Sequence, residues 1–296
     1  MATITIIGAG LIGCSFGMAL REFGHFIVGI DKNLMNLEQA KQIGAINASS
    51  LSFIQSVGQS QIVIIATPVD SILNILPQVL DNLPKDAFVI DTGSTKMNIC
   101  TRVQNHPRRN AFIASHPMAG TEQSGPAGAK ANLFEGKTVA ICEHDLSQEA
   151  SLKNALEIFY QVGLKPIFLT PKQHDSTTAL VSHLPQVLAY AYAGLLEFSN
   201  SELSWREMAS SGFDSSTRLA SSIPEIWLPI LLQNKEFVVE KLRSLEQAID
   251  LIANNLIQNN IISLEAQIKR AKNTRISFEN EQNNKSERIN TPPLIK

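Results

Sequence analysis

The run "TITIIGAGLIGCSFGMAL" limits the possible folds of this chain more than any other stretch. A short apolar segment leads directly into Gly8, Gly10 and Gly13 in G-x-G-x-x-G spacing, and a helical pattern opens at once after them. Gly8 permits the tight turn, Gly10 lets an anionic group approach the backbone, and Gly13 lets the helix pack on the strand. The free N–H groups of the helix start, at Leu11 and Ile12, are left to hold a pyrophosphate. The next apolar run, "HFIVGID", ends in Asp31, 18 residues beyond Gly13. An acid at that distance can accept both hydroxyls of an adenosine ribose. Turn, spacing and acid together predict a dinucleotide site. The carboxylate favours NAD over NADP because it repels a 2′-phosphate, while Lys32 beside it works against that preference. Flavin proteins share the glycine pattern but usually carry further flavin-binding segments, which are not found here. The bland alternative is a plain strand–helix turn, with Asp31 merely capping the following helix.

The alternation of strand and helix continues along the chain. From residue 3 to about 170 the runs "TITIIGAG", "HFIVGID", "QIVIIATP", "DAFVIDTG", "NAFIASHP", "KTVAIC" and "KPIFLT" alternate with helix-like stretches. That pattern predicts an α/β fold with a doubly wound, mostly parallel Rossmann-type sheet over residues 1–170. Residues 171–273 show apolar positions at three- and four-residue steps and no strand pattern, so an all-helical second domain is expected. The apolar helix expected over 183–198 needs partners on nearly all sides, which favours a homodimer built through this domain. Residues 274–296 are rich in Asn, Glu, Lys and Ser and are expected to form a mobile tail.

Composition excludes several partners. A formal net charge of -2 over 296 residues offers no case for a nucleic acid, and basic pairs such as Arg108–Arg109 are too short to track a phosphate backbone. No apolar run reaches the roughly 20 residues needed to span a bilayer. Cys14, Cys100 and Cys142 are odd in number and lack metal-ligand spacing, so no metal is expected and a reducing, cytoplasmic setting fits. No charged leader precedes the first strand, so a secretory signal is not expected.

The remaining strand ends carry the candidate chemistry. "IIATPVD" sets Thr67 and Pro68 at a strand stop, and "VIDTGSTK" sets Asp91, Gly93, Ser94 and Lys96 at another. Both loops should border a nicotinamide, with Ser94 also expected as the N-cap of a helix running from Thr95. "NAFIASHPMAGTEQSG" runs straight into His116. An alcohol that loses hydride from its carbon needs an acceptor for its hydroxyl proton, and neutral imidazole suits that task. Pro117 restricts His116 to extended angles and fixes its approach. For an isolated histidine a structural role is the commoner reading; the neighbouring strand ends shift the balance. His25, His106 and His144 lie in turn-like polar settings. Of the two remaining, His174 and His183, the latter is favoured because Ser182 and Pro185 flank it at the start of the apolar helix.

These motifs resemble the prephenate and arogenate dehydrogenases of tyrosine biosynthesis. The resemblance runs in order through "GAGLIGCSFG", "GID", "ATPV", "DTGSTK", "SHPMAGTE", "LFEGK", "HDSTTALVSHLP", "ASSGFDSSTRLASSIPEIW" and Asn234, covering about residues 3–250. It implies oxidative decarboxylation of a cyclohexadienol: hydride leaves the carbinol carbon, carbon dioxide leaves the opposite carbon, and the ring becomes aromatic. By the family pattern His116 takes the hydroxyl proton and Ser94 helps hold the hydroxyl. Thr121 and Glu122 line the pocket, His183 lies near the substrate, Arg218 grips the ring carboxylate, and Trp227 falls in a matching place. That carboxylate loses charge on the way to neutral carbon dioxide, so Arg218 should serve binding more than barrier lowering.

One departure bears on the substrate. Where many prephenate-using relatives read "SHLPH", this chain reads "SHLPQ", and neutral Gln186 supplies no positive charge for a pyruvyl side chain. The change leans towards arogenate, with Glu122 a partner for its ammonium group; prephenate stays the alternative. Two other classes compete. A catalytically silent NAD-binding dimer would not need Ser94, His116 and Arg218 together. A different two-domain hydroxyacid dehydrogenase would ordinarily place a lysine base where "SHLPQ" has none. The stretch after the helical half is too short for an appended regulatory domain, so any feedback by tyrosine would act at the active site.

Overall fold

The structure, a computed structural model, describes residues 1–120, 123–198 and 205–290, with residues 198 and 282–290 described by their backbone alone. Thr121 and Glu122 therefore lie outside the described residues. Eight strands form one sheet: β1 (Thr3–Ile7), β2 (Phe26–Ile30), β3 (Ala48–Ser49), β4 (Ile62–Ile65), β5 (Phe88–Asp91), β6 (Phe112–Pro117), β7 (Thr138–Cys142) and β8 (Lys165–Leu169), in the order β3-β2-β1-β4-β5-β6-β7-β8. Every neighbouring pair is parallel except β6 with β7. The two-residue β3 has no apolar run of its own, which is why the sequence pattern does not reveal it.

Strand side chains alternate between two cores, as the two-residue period of a strand requires. Ile4, Ile6, Ile62, Ile64 and Ile90 face one layer with Phe16, Phe134 and Phe159, on the helices Leu11–Glu22 and Glu149–Gln161 and the loop between β6 and β7. Ile7, Val63, Ile65 and Val89 face the other, with Ile72, Leu76 and Val79 of Val69–Asn82 and Ile99 of Met97–Val103. Because both faces are covered, the strands read as nearly continuous apolar runs. Each fully buried Ile or Leu contributes about 1.5–3 kcal/mol relative to exposure. Chain order reverses between β1 and β4, so the crevice beyond their carboxyl ends is the natural ligand position for such a sheet.

The helical half begins at Thr170, whose hydroxyl accepts from Gln173 N (3.2 Å) while the Gln173 carboxamide accepts from Thr170 N (2.9 Å). This reciprocal cap, with Pro171 at the first turn, starts the helix Pro171–Thr178. A π-helical turn, Ala179–His183, joins it to Leu184–Leu195. Pro185 has no N–H to give and crowds the carbonyl four residues before it, so the widened turn falls directly upstream.

The first compact unit is Met1–Val238, so the start of the helical half packs into the same unit as the sheet. The second, from Val239 on, consists of most of the helix Lys235–Ile257 and the helix Ile261–Asn290. No strand follows β8 among the described residues. Residues 274–290, expected as a tail, instead continue that last helix. No Gly or Pro interrupts the sequence between 259 and 291, and pairs such as Lys269–Glu265 and Arg275–Glu279 lie one helical turn apart.

Candidate active site

The glycine-rich end is built from main chain and from space. Gly8 sits at φ +102, a conformation that favours glycine, and a Cβ there would meet Ala66 O at 2.4 Å. Gly13 packs so closely that its Cβ would lie 2.0 Å from Gly8 O, whereas a Cβ on Gly10 would have nothing within 4 Å. Gly10 is the N-cap of Leu11–Glu22 and supplies no side-chain cap, and half-buried Leu11 and Ile12 form the first turn. Asp31 accepts from Ala9 N through Oδ2 and from Asn33 N through Oδ1, each at 2.8 Å. It thus ties the glycine loop to β2 and still has acceptor sites left on both oxygens. The cap of Leu34–Gln42 is Asn33, which accepts from Met35 N, so Asp31 is not the helix cap of the bland alternative. Just beyond the end of the neighbouring strand β4, Thr67 lies beside Gly8, and its Oγ1 is buried with no hydrogen-bond partner among the described residues; Pro68, exposed, caps Val69–Asn82. A positive-φ cradle, an open approach at Gly10, an acid at the end of β2 and an unsatisfied hydroxyl across the switch point fit a dinucleotide.

The second end is built from side chains. β5 and β6 stop pairing after Ile90↔Ile113, and Asp91 takes over from the ladder. Asp91 Oδ1 accepts from Ser115 N (2.9 Å), its backbone carbonyl accepts from Ser115 Oγ (2.6 Å), and Oδ2 accepts from Gly93 N (2.9 Å). The Lys96 ammonium, fully buried, bonds to Asp91 Oδ2 and donates to Ser115 O at 2.7 Å. This pair fixes the residue before His116 and so the direction of β6 at its end. His116, on β6 opposite Ala140 of β7, is buried.

Where the sequence predicts Ser94 as the cap of a helix from Thr95, the helix is Met97–Val103, and Lys96 holds the N-cap position with no side-chain cap. The cap comes from across the molecule. Asp175 of Pro171–Thr178 accepts from Lys96 N through Oδ1 (2.7 Å) and from Met97 N through Oδ2 (2.9 Å). A carboxylate on both first N–H groups satisfies the helix start better than a serine hydroxyl, and it docks the helical half on the sheet. Ser94 stays half-buried in the loop between β5 and that helix.

Asp175 also reaches His116 through a third residue. His174 Nδ1 lies 2.7 Å from Asp175 Oδ1, and His174 Nε2 lies 2.9 Å from His116 Nδ1. Asn234 Nδ2 donates to Asp175 O (2.8 Å) and to His183 Nδ1 (3.0 Å), and Trp227 stands edge-on to the His183 ring at 6.0 Å. Nine residues would set His174 and His183 about 180° apart on an α-helix of 3.6 residues per turn. The extra residue of the π turn rotates His183 by about 100° towards the side of His174. Burial dominates the titration of all three. It holds His116 well below the usual imidazole value, and a proton there would also be repelled by the protonated forms of His174, Lys96 and His183. His174 is lowered by burial and partly restored by Asp175, and His183 is brought down to about 4. All three are neutral at pH 7.

Gln186 is buried, its Nε2 donating to Leu219 O at 2.6 Å while Oε1 has no partner among the described residues. Arg218 is exposed and opens the short helix Arg218–Ser221. The residues that sequence reasoning ranks low or passes over are His174, Asp175 and Lys96. The available signal is the "HD" pair on the first turns after the Thr170 cap. A cavity of about 510 Å³ lined by Ala2, His25, Gln61 and Phe88 lies at the opposite, amino-terminal edge of the strands, away from these groups. The three thiols are buried and unpaired, those of Cys14 and Cys142 pushed up to about 12 mainly by burial.

A dinucleotide cradle at the switch point of a doubly wound sheet, with neutral buried histidines at a neighbouring strand end, defines an NAD(P)-dependent dehydrogenase. Comparison with known proteins gives the family. Residues 16–168 match the model described as "Prephenate dehydrogenase, nucleotide-binding domain" and residues 170–270 that described as "Prephenate dehydrogenase, dimerization domain". The prephenate dehydrogenase of Bacillus subtilis (strain 168) is 31% identical over 92% of this chain and 75% of its own length. The crystal structure of prephenate dehydrogenase from A. aeolicus in complex with hydroxyphenyl propionate and NAD+ superposes with a TM-score of 0.87 at 30% identity, over 94% of this chain and 98% of that one. Synechocystis arogenate dehydrogenase gives 0.78 at 25% identity, over 93% and 99%. The chain belongs to the prephenate dehydrogenase family. No described helix is long and apolar enough to cross a membrane.

Proposed function

We propose that this chain oxidatively decarboxylates a cyclohexadienol bearing a ring carboxylate, with His116 as the acceptor of the hydroxyl proton. The observation that carries this reading is the placement of a buried, neutral His116 at the carboxyl end of β6, the strand beside β5 on the same side of the sheet's switch point as β4. Gly8, Gly10, Leu11, Ile12, Gly13, Asp31, Thr67, Pro68 and Gly93 would hold the dinucleotide, which accepts the hydride when bound. His116 presents its free nitrogen to the hydroxyl, and Ser94 holds that oxygen. His183 accepts from Asn234 at Nδ1, which leaves its Nε2–H as a donor towards the substrate. Arg218 takes the ring carboxylate and orients it, and Trp227, Thr121 and Glu122 are assigned to substrate binding.

Substrate and cofactor choice rest on single side chains. Gln186 is neutral and its amide is committed to Leu219 O, which favours the amino side chain of arogenate over the keto side chain of prephenate. The names of the Bacillus and A. aeolicus relatives favour prephenate. Asp31 favours NAD over NADP. Initial rates with both substrates crossed with both cofactors decide both points; equal turnover of the two substrates would remove the role given to Gln186. We further propose that residues 1–170 carry the dinucleotide and 171–273 the substrate wall and the contact between two copies in a homodimer. Leu188, Tyr192 and Leu195 recur along one exposed face of Leu184–Leu195. The buried free thiols suit a reducing cytoplasm.

A further inference from the structure

The direction of each hydrogen bond behind His116 can be read from Asp175. Its carboxylate already accepts two backbone N–H groups, so it is an acceptor towards His174 too, and the proton between them sits on His174 Nδ1. His174 Nε2 is then a lone pair and accepts the Nδ1–H of His116, leaving His116 Nε2 as the basic nitrogen. From these contacts we infer that His174 and Asp175 are positioning residues that fix the tautomer of His116 and hold its acquired proton as a buried imidazolium–carboxylate pair. The inference rests on the reading of His116 as the base.

The hydroxyl proton passes to His116 Nε2 as hydride leaves the same carbon, and the His116 Nδ1 proton passes to His174 Nε2. Positive charge then lies on His174, whose other nitrogen is 2.7 Å from Asp175 Oδ1. When the C–C bond to the carboxylate breaks, its electron pair completes the aromatic ring. The two protons step back, and His116 Nε2 returns one to the phenolate oxygen. No proton is gained or lost over the cycle, so the store needs no outlet to solvent, which agrees with side chains of His174 and Asp175 that are 1% and 2% exposed. His116, burdened by burial and by the nearby Lys96 ammonium, is a poor place to leave the charge; His174 has a carboxylate beside it and is a better one.

The test compares His174→Gln, Asp175→Asn and His116→Asn by kcat, KM, dinucleotide affinity from fluorescence titration, melting temperature, and proton NMR of protein labelled with 15N-histidine. In His174→Gln the introduced amide oxygen can accept from His116 but cannot carry a proton. A kcat lower by about 10²-fold or more in His174→Gln, with KM and dinucleotide affinity within about threefold, is the expected result. The wild type should also show a far-downfield N–H resonance that persists in His116→Asn and disappears in the other two variants. Full turnover by His174→Gln while His116→Asn is inactive would overturn the inference and leave the base assignment standing. Full turnover by His116→Asn would instead remove that assignment. Should Asp175→Asn fail to fold for want of its cap, His174→Gln and the resonance decide alone.

Discussion

The two ends of the site are made in different ways. At the glycine end the chain removes side chains: Gly8, Gly10 and Gly13 leave backbone and space, and one acid at the end of β2 ties the loop in place. At the histidine end it adds them: Asp91, Lys96, Ser115, His116, His174, Asp175, His183 and Asn234 come from two strand ends, a loop and helices, and each holds the next. A cofactor shared by many enzymes can be met by local backbone geometry. A particular proton transfer needs nitrogen atoms held at hydrogen-bond distance, and only packed side chains from distant segments supply that.

This contrast gives an order of expected effects. His116→Asn removes the proposed proton acceptor and should lower kcat by about 10²–10⁴-fold, leaving dinucleotide affinity unchanged in a fluorescence titration. If turnover stays near normal, the histidine end is not where the chemistry occurs. Lys96→Met leaves Asp91 charged and unpaired in a fully buried place, and urea unfolding should show a loss of about 3–5 kcal/mol. A loss below about 1 kcal/mol would mean that the pair does not hold β6.

Acid should act on the same end. The three buried histidines are neutral when folded but titrate near 6.5 when unfolded, so the unfolded chain binds more protons as pH falls below that value. Stability declines from there and stops declining below each folded value. For His183, brought down to about 4, the loss by pH 4 is on the order of 3 kcal/mol. A melting temperature flat between pH 7 and pH 4.5 would contradict that burial. The glycine end is sharpened by its own pair of variants. Gly13→Ala forces a Cβ against Gly8 O and should cost about 1–3 kcal/mol of stability. Gly10→Ala meets nothing, so it should change stability by less than about 1 kcal/mol while weakening dinucleotide binding. If both variants unfold alike, the loop is shaped by its own packing and not by a ligand.

The sequence by itself determined the sheet, because a strand buried on both faces must be apolar throughout and must end where turn residues begin. It also determined the glycine cradle, whose requirements lie within one turn of chain, and it brought His116 to a strand end. The tertiary structure decided what stands behind His116. Ser94 looks like a cap because local pattern cannot see a carboxylate arriving from Asp175, 81 positions further along. His174 ranks below His183 because only the immediate neighbours Ser182 and Pro185 are weighed, and neighbouring letters do not show the contact of His174 with His116 or the π turn that brings His183 towards the same side. The last helix reads as a tail because charge and amide content report solvation, whereas continuity comes from residues that do not break a helix. Interactions of one turn or one strand are written in neighbouring letters; those that set a proton's position close over long stretches of chain and exist only once it has packed.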